Sequence, residues 1–135
     1  MKKFSTILSV FALLAFSSAT AHAAADASEC NKESHYPLIT KSELKQVVES
    51  KSATIFDVNS KDSYESTHVP GAVHFGSHES DFAKMLPKDK GAMIVAYCGG
   101  PSCTAWKMAA KEACKLGYTN IRHFKEGIKG WNESK

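Results

Sequence analysis

Apolar and polar positions fall in short blocks along the chain, and each block predicts one element. Met1-Lys2-Lys3 is a positive start, Phe4 to Phe16 is mostly apolar with only small hydroxyl interruptions, and Ser17 to Ala25 is rich in small side chains. The triplet Ala21-His22-Ala23 has the A-x-A form of a secretory cleavage site, with Ala23-Ala24-Ala25 as the alternative. A membrane anchor needs roughly 20 apolar residues. Residues 1–23 are therefore expected to be a cleaved signal peptide, and the mature protein to be periplasmic or secreted with no membrane association.

Residues 24–36 lack periodicity and read as an N-terminal tail. Pro37 to Ile39 is a short extended stretch. Thr40 and Glu43 then have capping-box spacing, opening a helix that carries Leu44, Val47 and Val48 to about Ser50. Ala53 to Val58 is a β-favouring run, Lys61 to Thr67 a polar helical turn, Ala72 to Phe75 another short strand, and Ser77 to Leu86 a helix stopped by Pro87. Gly91 to Tyr97 is the most apolar continuous run of the mature chain, as expected of a strand covered on both faces of a parallel sheet. Cys103 to Leu116 predicts a helix with Trp106, Ala109, Ala110, Ala113 and Leu116 on one face and Lys107, Lys111 and Lys115 on the other. Gly117 is its expected C-cap, Asn120 to Phe124 a further strand, and Ile128 to Trp131 a closing turn. Alternation of this kind predicts an α/β domain: a mainly parallel central sheet of about five short strands flanked by helices.

Composition narrows the class without choosing a chemistry. With 135 residues, 43% of them hydrophobic, disorder and long coiled coils are excluded. Removing residues 1–23 leaves 112 residues and takes away two lysines, lowering the formal charge from +3 to +1. That is one domain with no basic surface for nucleic acid, and a monomer is the expected state. The five histidines outside the leader are dispersed, so neither a metal site nor a cofactor is expected.

The chemistry concentrates in Cys98-Gly99-Gly100-Pro101-Ser102-Cys103-Thr104, which follows the most apolar strand. Side chains at the carboxyl end of a parallel strand open into the crevice where ligands bind. Gly99 and Gly100 permit positive φ, so that successive N–H groups can turn inward, and a helix starting near Ser102 or Cys103 would add its positive end. Both favour a thiolate at Cys98. The same pattern is compatible with a buried cysteine beside an ordinary turn.

Residues 38–132 resemble a single-domain rhodanese, the sulfurtransferase fold, which sets the domain at 37–135. The resemblance rests on an ordered set: Ile55-Phe56-Asp57-Val58, Tyr64, His68-Val69-Pro70-Gly71-Ala72, the cysteine loop, Leu116-Gly117-Tyr118 and Gly127-Ile128-Lys129-Gly130-Trp131. It implies that Cys98 takes up sulfane sulfur as a persulfide and that Gly99 to Cys103 form its cradle. Counting from Cys98, Cys103 is sixth; related phosphatases have seven-residue loops ending in arginine, and here Arg122 is the only arginine. Phosphatase chemistry is thereby disfavoured. Asn59 and Cys103 depart from the family pattern, which often has arginine at the first position and a basic or hydroxyl residue at the second. Asp57 either orients the active loop through backbone hydrogen bonds or caps a turn.

Four cysteines allow three full pairings. If the helix from Cys103 is intact, Cys103 and Cys114 lie about 16 Å apart, beyond the roughly 7 Å that a disulfide spans. Cys30 and Cys114 either form a structural disulfide or are both free. Cys103 is either a resolving thiol for Cys98 or a small buried residue. The expected activity is transfer of sulfane sulfur from thiosulfate, a polysulfide or a protein persulfide to a thiol or cyanide. The alternatives are a thiol–disulfide or persulfide reductase using Cys98 and Cys103, and a non-catalytic binding module.

Overall fold

The computed structural model describes residues 26–133, so the expected signal peptide lies outside the described residues. Within them, the elements in chain order are α1 (Lys41–Ser50), β1 (Ala53–Asp57), α2 (Lys61–Ser66), β2 (Val73–His74), α3 (Phe82–Met85), β3 (Met93–Tyr97), α4 (Lys107–Lys115), β4 (Ile121–His123) and α5 (Gly127–Asn132). The strands form one parallel sheet in the order β2-β1-β3-β4. Leu38 adds a single parallel bridge to His123, marking a fifth position at the β4 edge.

Side-chain alternation along the two central strands builds two cores. On β3, Ile94 and Ala96, followed by Cys98, face the layer that holds Ala109, Ala110 and Ala113 of α4 and the Phe75–Phe82 pair. Val95 and Tyr97 face the opposite layer with Leu44 and Val47 of α1 and Ile128 of α5. Ile94, Val95, Ala96 and Tyr97 are all fully buried, which is why this segment shows no polar alternation. No helix among the described residues is long and apolar enough to cross a membrane.

Local signals hold where side chains satisfy backbone groups nearby. The Thr40–Glu43 capping box is complete, with Thr40 N–H donating to Glu43 at 2.8 Å and Glu43 N–H to Thr40 Oγ1 at 3.2 Å. Several segments differ from expectation. The run from Ser77 breaks into 3-10 turns, and only Phe82–Met85 is α-helical. Phe82 packs on Phe75 and Phe56 with ring centroids 5.2 and 4.7 Å away, and this packing overrides a continuous helix. The tail is ordered: turns at Glu29–Asn31 and Glu33–His35 bring Cys30 and Tyr36 into the core, 1% and 3% exposed. Leu116, past the last turn of α4, is 37% exposed, and Cys114 is buried on that helix instead.

Cys30 and Cys114 are joined by a disulfide with Cα atoms 5.7 Å apart, closing a separation of 84 residues. The bond staples the tail across α4, and Tyr36 OH donates to Cys30 O at 2.6 Å beneath it. Joining residues so far apart restricts the unfolded chain strongly. Replacing Cys30 and Cys114 together by serine is expected to lower the unfolding free energy by about 2–4 kcal/mol, measured by urea titration of otherwise oxidised protein. An unchanged midpoint would show that the staple contributes nothing.

Candidate active site

The loop after β3 is the centre of the site. Cys98, 2% exposed, is disulfide-bonded to Cys103 with Cα atoms 6.2 Å apart. Cys103 is half-buried. Within the ring so formed, Cys103 N–H donates to Gly100 O at 3.0 Å. All four cysteines of the chain are thus paired.

Two expectations about this loop need correction. Helix α4 begins at Lys107, not near Cys103. Lys107 N–H and Met108 N–H bond only to Thr104 O and Ala105 O, three residues back, so the chain leaves the ring through turns before helical bonding starts. The positive end of α4 therefore lies beyond the ring rather than at Cys98. Pairing of Cys103 with Cys114 is settled by their other partners, not by an uninterrupted helix between them. Neither Gly99 nor Gly100 has positive φ, so these two residues do not make left-handed turns around the sulfur.

The loop is instead held from α5. Ile128 N–H donates to Cys98 O at 2.9 Å and Lys129 N–H to Gly99 O at 3.1 Å, so the first turn of α5 gives its unpaired amides to loop carbonyls. Gly127 makes this approach feasible. Its φ is +60°, and a Cβ there would sit 2.4 Å from Cys98 O and 2.6 Å from Gly100 N. The only sequence signal for this role was the Gly-Ile-Lys-Gly-Trp run; its contact with the loop is tertiary.

Asp57 is fully buried at the end of β1 and does not bond the loop backbone. Its Oδ1 accepts from Asn59 N–H at 2.8 Å and from Asn59 Nδ2 at 2.7 Å, the turn-cap arrangement, and its Oδ2 accepts from Tyr97 OH at 2.5 Å. The β1–β3 register pairs Asp57 with Tyr97, so both side chains take the face opposite Cys98. Tyr97 OH accepts from Val69 N–H at 3.0 Å, tying the His68-Val69-Pro70-Gly71 turn to the same carboxylate. Burial and then the Asp57 bond raise the Tyr97 phenol well above its ordinary value. Asn59, which stands where the family often has arginine, supplies two neutral donors to this carboxylate. His74 Nε2 lies 2.9 Å from Asn59 O and Nδ1 lies 2.7 Å from Ser77 Oγ, so this histidine is spent on structure. His68 Nδ1 is 2.8 Å from Tyr64 O, likewise in the turn.

A groove of about 500 Å³ opens beside the ring and is bordered by Pro101, Cys103 and Thr104. Trp106 stacks on His123 along it, with ring centroids 3.6 Å apart and planes 12° from parallel, and Tyr36 meets Trp106 edge-on. Burial lowers the His123 pKa to about 4; Glu33 opposes this, and Lys125 and Lys107 add to it. Beyond the loop residues Pro101, Cys103 and Thr104, the groove lining was not singled out for a binding role from sequence, because Tyr36, Trp106 and His123 come from three separated segments. Among the described residues, no group of three His, Cys, Asp or Glu side chains is placed to hold a metal ion.

Parallel strands with a cysteine loop at the carboxyl end of the central one define an α/β protein whose site lies outside the strand ends. Residues 40–134 match the family model described as "Rhodanese-like domain", and the chain belongs to that family. The thiosulfate sulfurtransferase GlpE of Pseudomonas syringae pv. syringae is 28% identical over 90 residues, covering 66% of this chain and 81% of that protein. The protein of the same name from Shewanella oneidensis is 24% identical over 102 residues, covering 75% and 97%. A human single-domain sulfurtransferase superposes with a TM-score of 0.57 at 25% identity, covering 73% of this chain and 98% of that one.

Gly127→Ala is expected to cost about 2–3 kcal/mol, from positive-φ strain and the clash with the loop, read as a lowered urea midpoint. His123 gives a pH signature. Because its pKa falls from 6.5 to about 4 on folding, its neutral burial costs nothing above pH 6.5, and stability is lost as pH falls from there toward 4. His123→Phe should shrink the drop in stability between pH 7 and 4.5; an unchanged drop would assign it to other groups.

Proposed function

We propose that this protein is an exported sulfurtransferase that moves sulfane sulfur through a persulfide on Cys98. The observation that carries the reading is the position of Cys98, the first residue beyond the central parallel strand, in a six-residue loop that contains no arginine. Family membership and the two relatives named thiosulfate sulfurtransferase support the same chemistry.

The cycle balances with thiosulfate as donor. The Cys98 thiolate attacks the outer sulfur, the S–S bond of thiosulfate breaks, and sulfite leaves, with a persulfide on Cys98. Cyanide or a thiolate then takes the terminal sulfur as thiocyanate or a new persulfide and restores the Cys98 thiolate. Asp57, Asn59 and Tyr97 serve as supports behind the loop. Cys103 acts as the resolving thiol: its thiolate attacks the inner sulfur of the Cys98 persulfide, releases hydrosulfide and leaves the Cys98–Cys103 disulfide.

That disulfide, present in the structure, also favours a second reading, a thiol–disulfide exchange protein using the same pair. The two separate on variants. Cys98→Ser is expected to abolish thiocyanate formation and the 32 Da adduct on the donor-treated protein, whereas Cys103→Ser keeps both. Undiminished transfer by Cys98→Ser would refute the persulfide mechanism. Loss of turnover in both variants, with a redox-active disulfide in the parent, would move the assignment to the dithiol reading.

A further inference from the structure

The Cys98–Cys103 disulfide must be reduced before Cys98 can accept sulfur, and its two sulfurs sit in different surroundings. Cys98 is 2% exposed and packs in the core layer between the sheet and α4. Cys103 borders the groove of about 500 Å³, a volume typical of small-molecule sites, and Cys98 does not. Which sulfur of a disulfide is attacked depends on access, and here only Cys103 is open to a ligand in the groove.

The groove also has a definite charge pattern. Lys107 is engaged by Glu33 in an ion pair, which leaves their combined charge near zero. His123, stacked under Trp106, is neutral at physiological pH. Lys125 is exposed at the groove and has no ion-pair partner among the described residues. One uncommitted cation beside an aromatic wall suits a small ligand with one anionic end. The wall depends on the tail, since Glu33 and Tyr36 lie in the segment that the Cys30–Cys114 bond holds down.

We propose that this groove binds small thiols carrying a carboxylate, and that the bound thiolate attacks Sγ of Cys103 and releases Cys98 as the leaving thiolate. In this step the Cys98–Cys103 bond breaks and a mixed disulfide forms between Cys103 and the ligand. A second thiolate attacks the ligand sulfur of that mixed disulfide, giving the oxidised small-molecule disulfide and a free Cys103 thiolate. Two electrons pass from two thiols to one protein disulfide. The Lys125 ammonium pairs with the ligand carboxylate during the first attack. The inference rests on the sulfurtransferase reading only for the use made of the freed Cys98.

The test uses oxidised mature protein and 3-mercaptopropionate, with acid quenching after short exposure, alkylation and fragment mass spectrometry of the peptide spanning Gly91 to Lys107. The expected product carries mercaptopropionate on Cys103 and the alkyl group on Cys98. Adduct on Cys98, an even distribution, or no opening of the bond would overturn the proposal. If the adduct is too short-lived to map, the single-thiol variants decide. Cys103 in Cys98→Ser should react with the mercaptopropionate disulfide at least tenfold faster than Cys98 in Cys103→Ser, and the reverse order would overturn it. Lys125→Gln should slow opening by mercaptopropionate, relative to uncharged mercaptoethanol, by roughly three- to fivefold, the effect of one exposed ion pair. An unchanged ratio would refute the ligand class. A protein that opens at Cys103 yet makes no thiocyanate once reduced would refute the sulfur-carrier role of Cys98 and leave this step intact.

Discussion

The carboxylate of Asp57, fully buried and without a cationic partner in its hydrogen-bond shell, is the constraint around which the site end of the sheet is arranged. Leaving such a group unsatisfied in the interior is costly, so its donors must be supplied from defined places. Asn59 supplies two from the turn that leaves β1, and Tyr97 supplies one from the end of β3. Tyr97 in turn receives Val69 N–H, which binds the connection into β2 to the same point. The ends of β1 and β3 and the connection leading into β2 are thereby fastened on one face. Cys98, the next residue along β3, emerges on the other face from an end that is held rigid.

The loop has a second support that does not come from the sheet. Carbonyls of Cys98 and Gly99 are taken by the first amides of α5, through the close approach at Gly127. This reverses the usual relation between a thiol loop and a helix start. Helix α4, which follows the loop in sequence, begins too late to act on Cys98, whereas α5, about 30 residues downstream, grips it from the side. The disulfide ring and the turns at Thr104 to Trp106 occupy the segment in which the sequence pattern starts this helix. The four cysteines then divide by function of place. Cys30 and Cys114 hold the tail against α4, while Cys98 and Cys103 occupy the loop at the groove that the tail helps to line.

Much of the fold was legible because it rests on local patterns. The capping box of Thr40 and Glu43, the unbroken apolar run of β3 and the alanine face of α4 each follow from residues within one or two turns of one another. The ordered motifs from Asp57 to Trp131 were enough to identify the family. Expectations weakened where distant packing competes with local preference. Phe75 and Phe82 drew the Ser77 segment into short turns, and the tail without periodicity acquired structure through Cys30 and Tyr36. Asp57, 41 residues before Cys98 in the chain, was a candidate to orient the cysteine loop from the end of its strand. The β1–β3 register put its side chain on the opposite face.

By itself, the order of residues determined a parallel α/β domain, its rhodanese-like membership and the placement of two cysteines on one Gly-rich loop. The domain class and the loop rest on periodicity and spacing, and the membership on an ordered set of motifs resembling the family; a linear string carries all of these. Tertiary structure decided what surrounds that loop: which sulfur is buried, which borders a groove, and that Tyr36, Trp106, His123 and Lys125 form its walls. Those residues are brought together by the pairing of β4 with β3, by the backbone bonds of Pro37 and Ile39 to His123, and by the disulfide across α4. No local signal encodes such contacts, because their stabilisation exists only once the separated segments have packed.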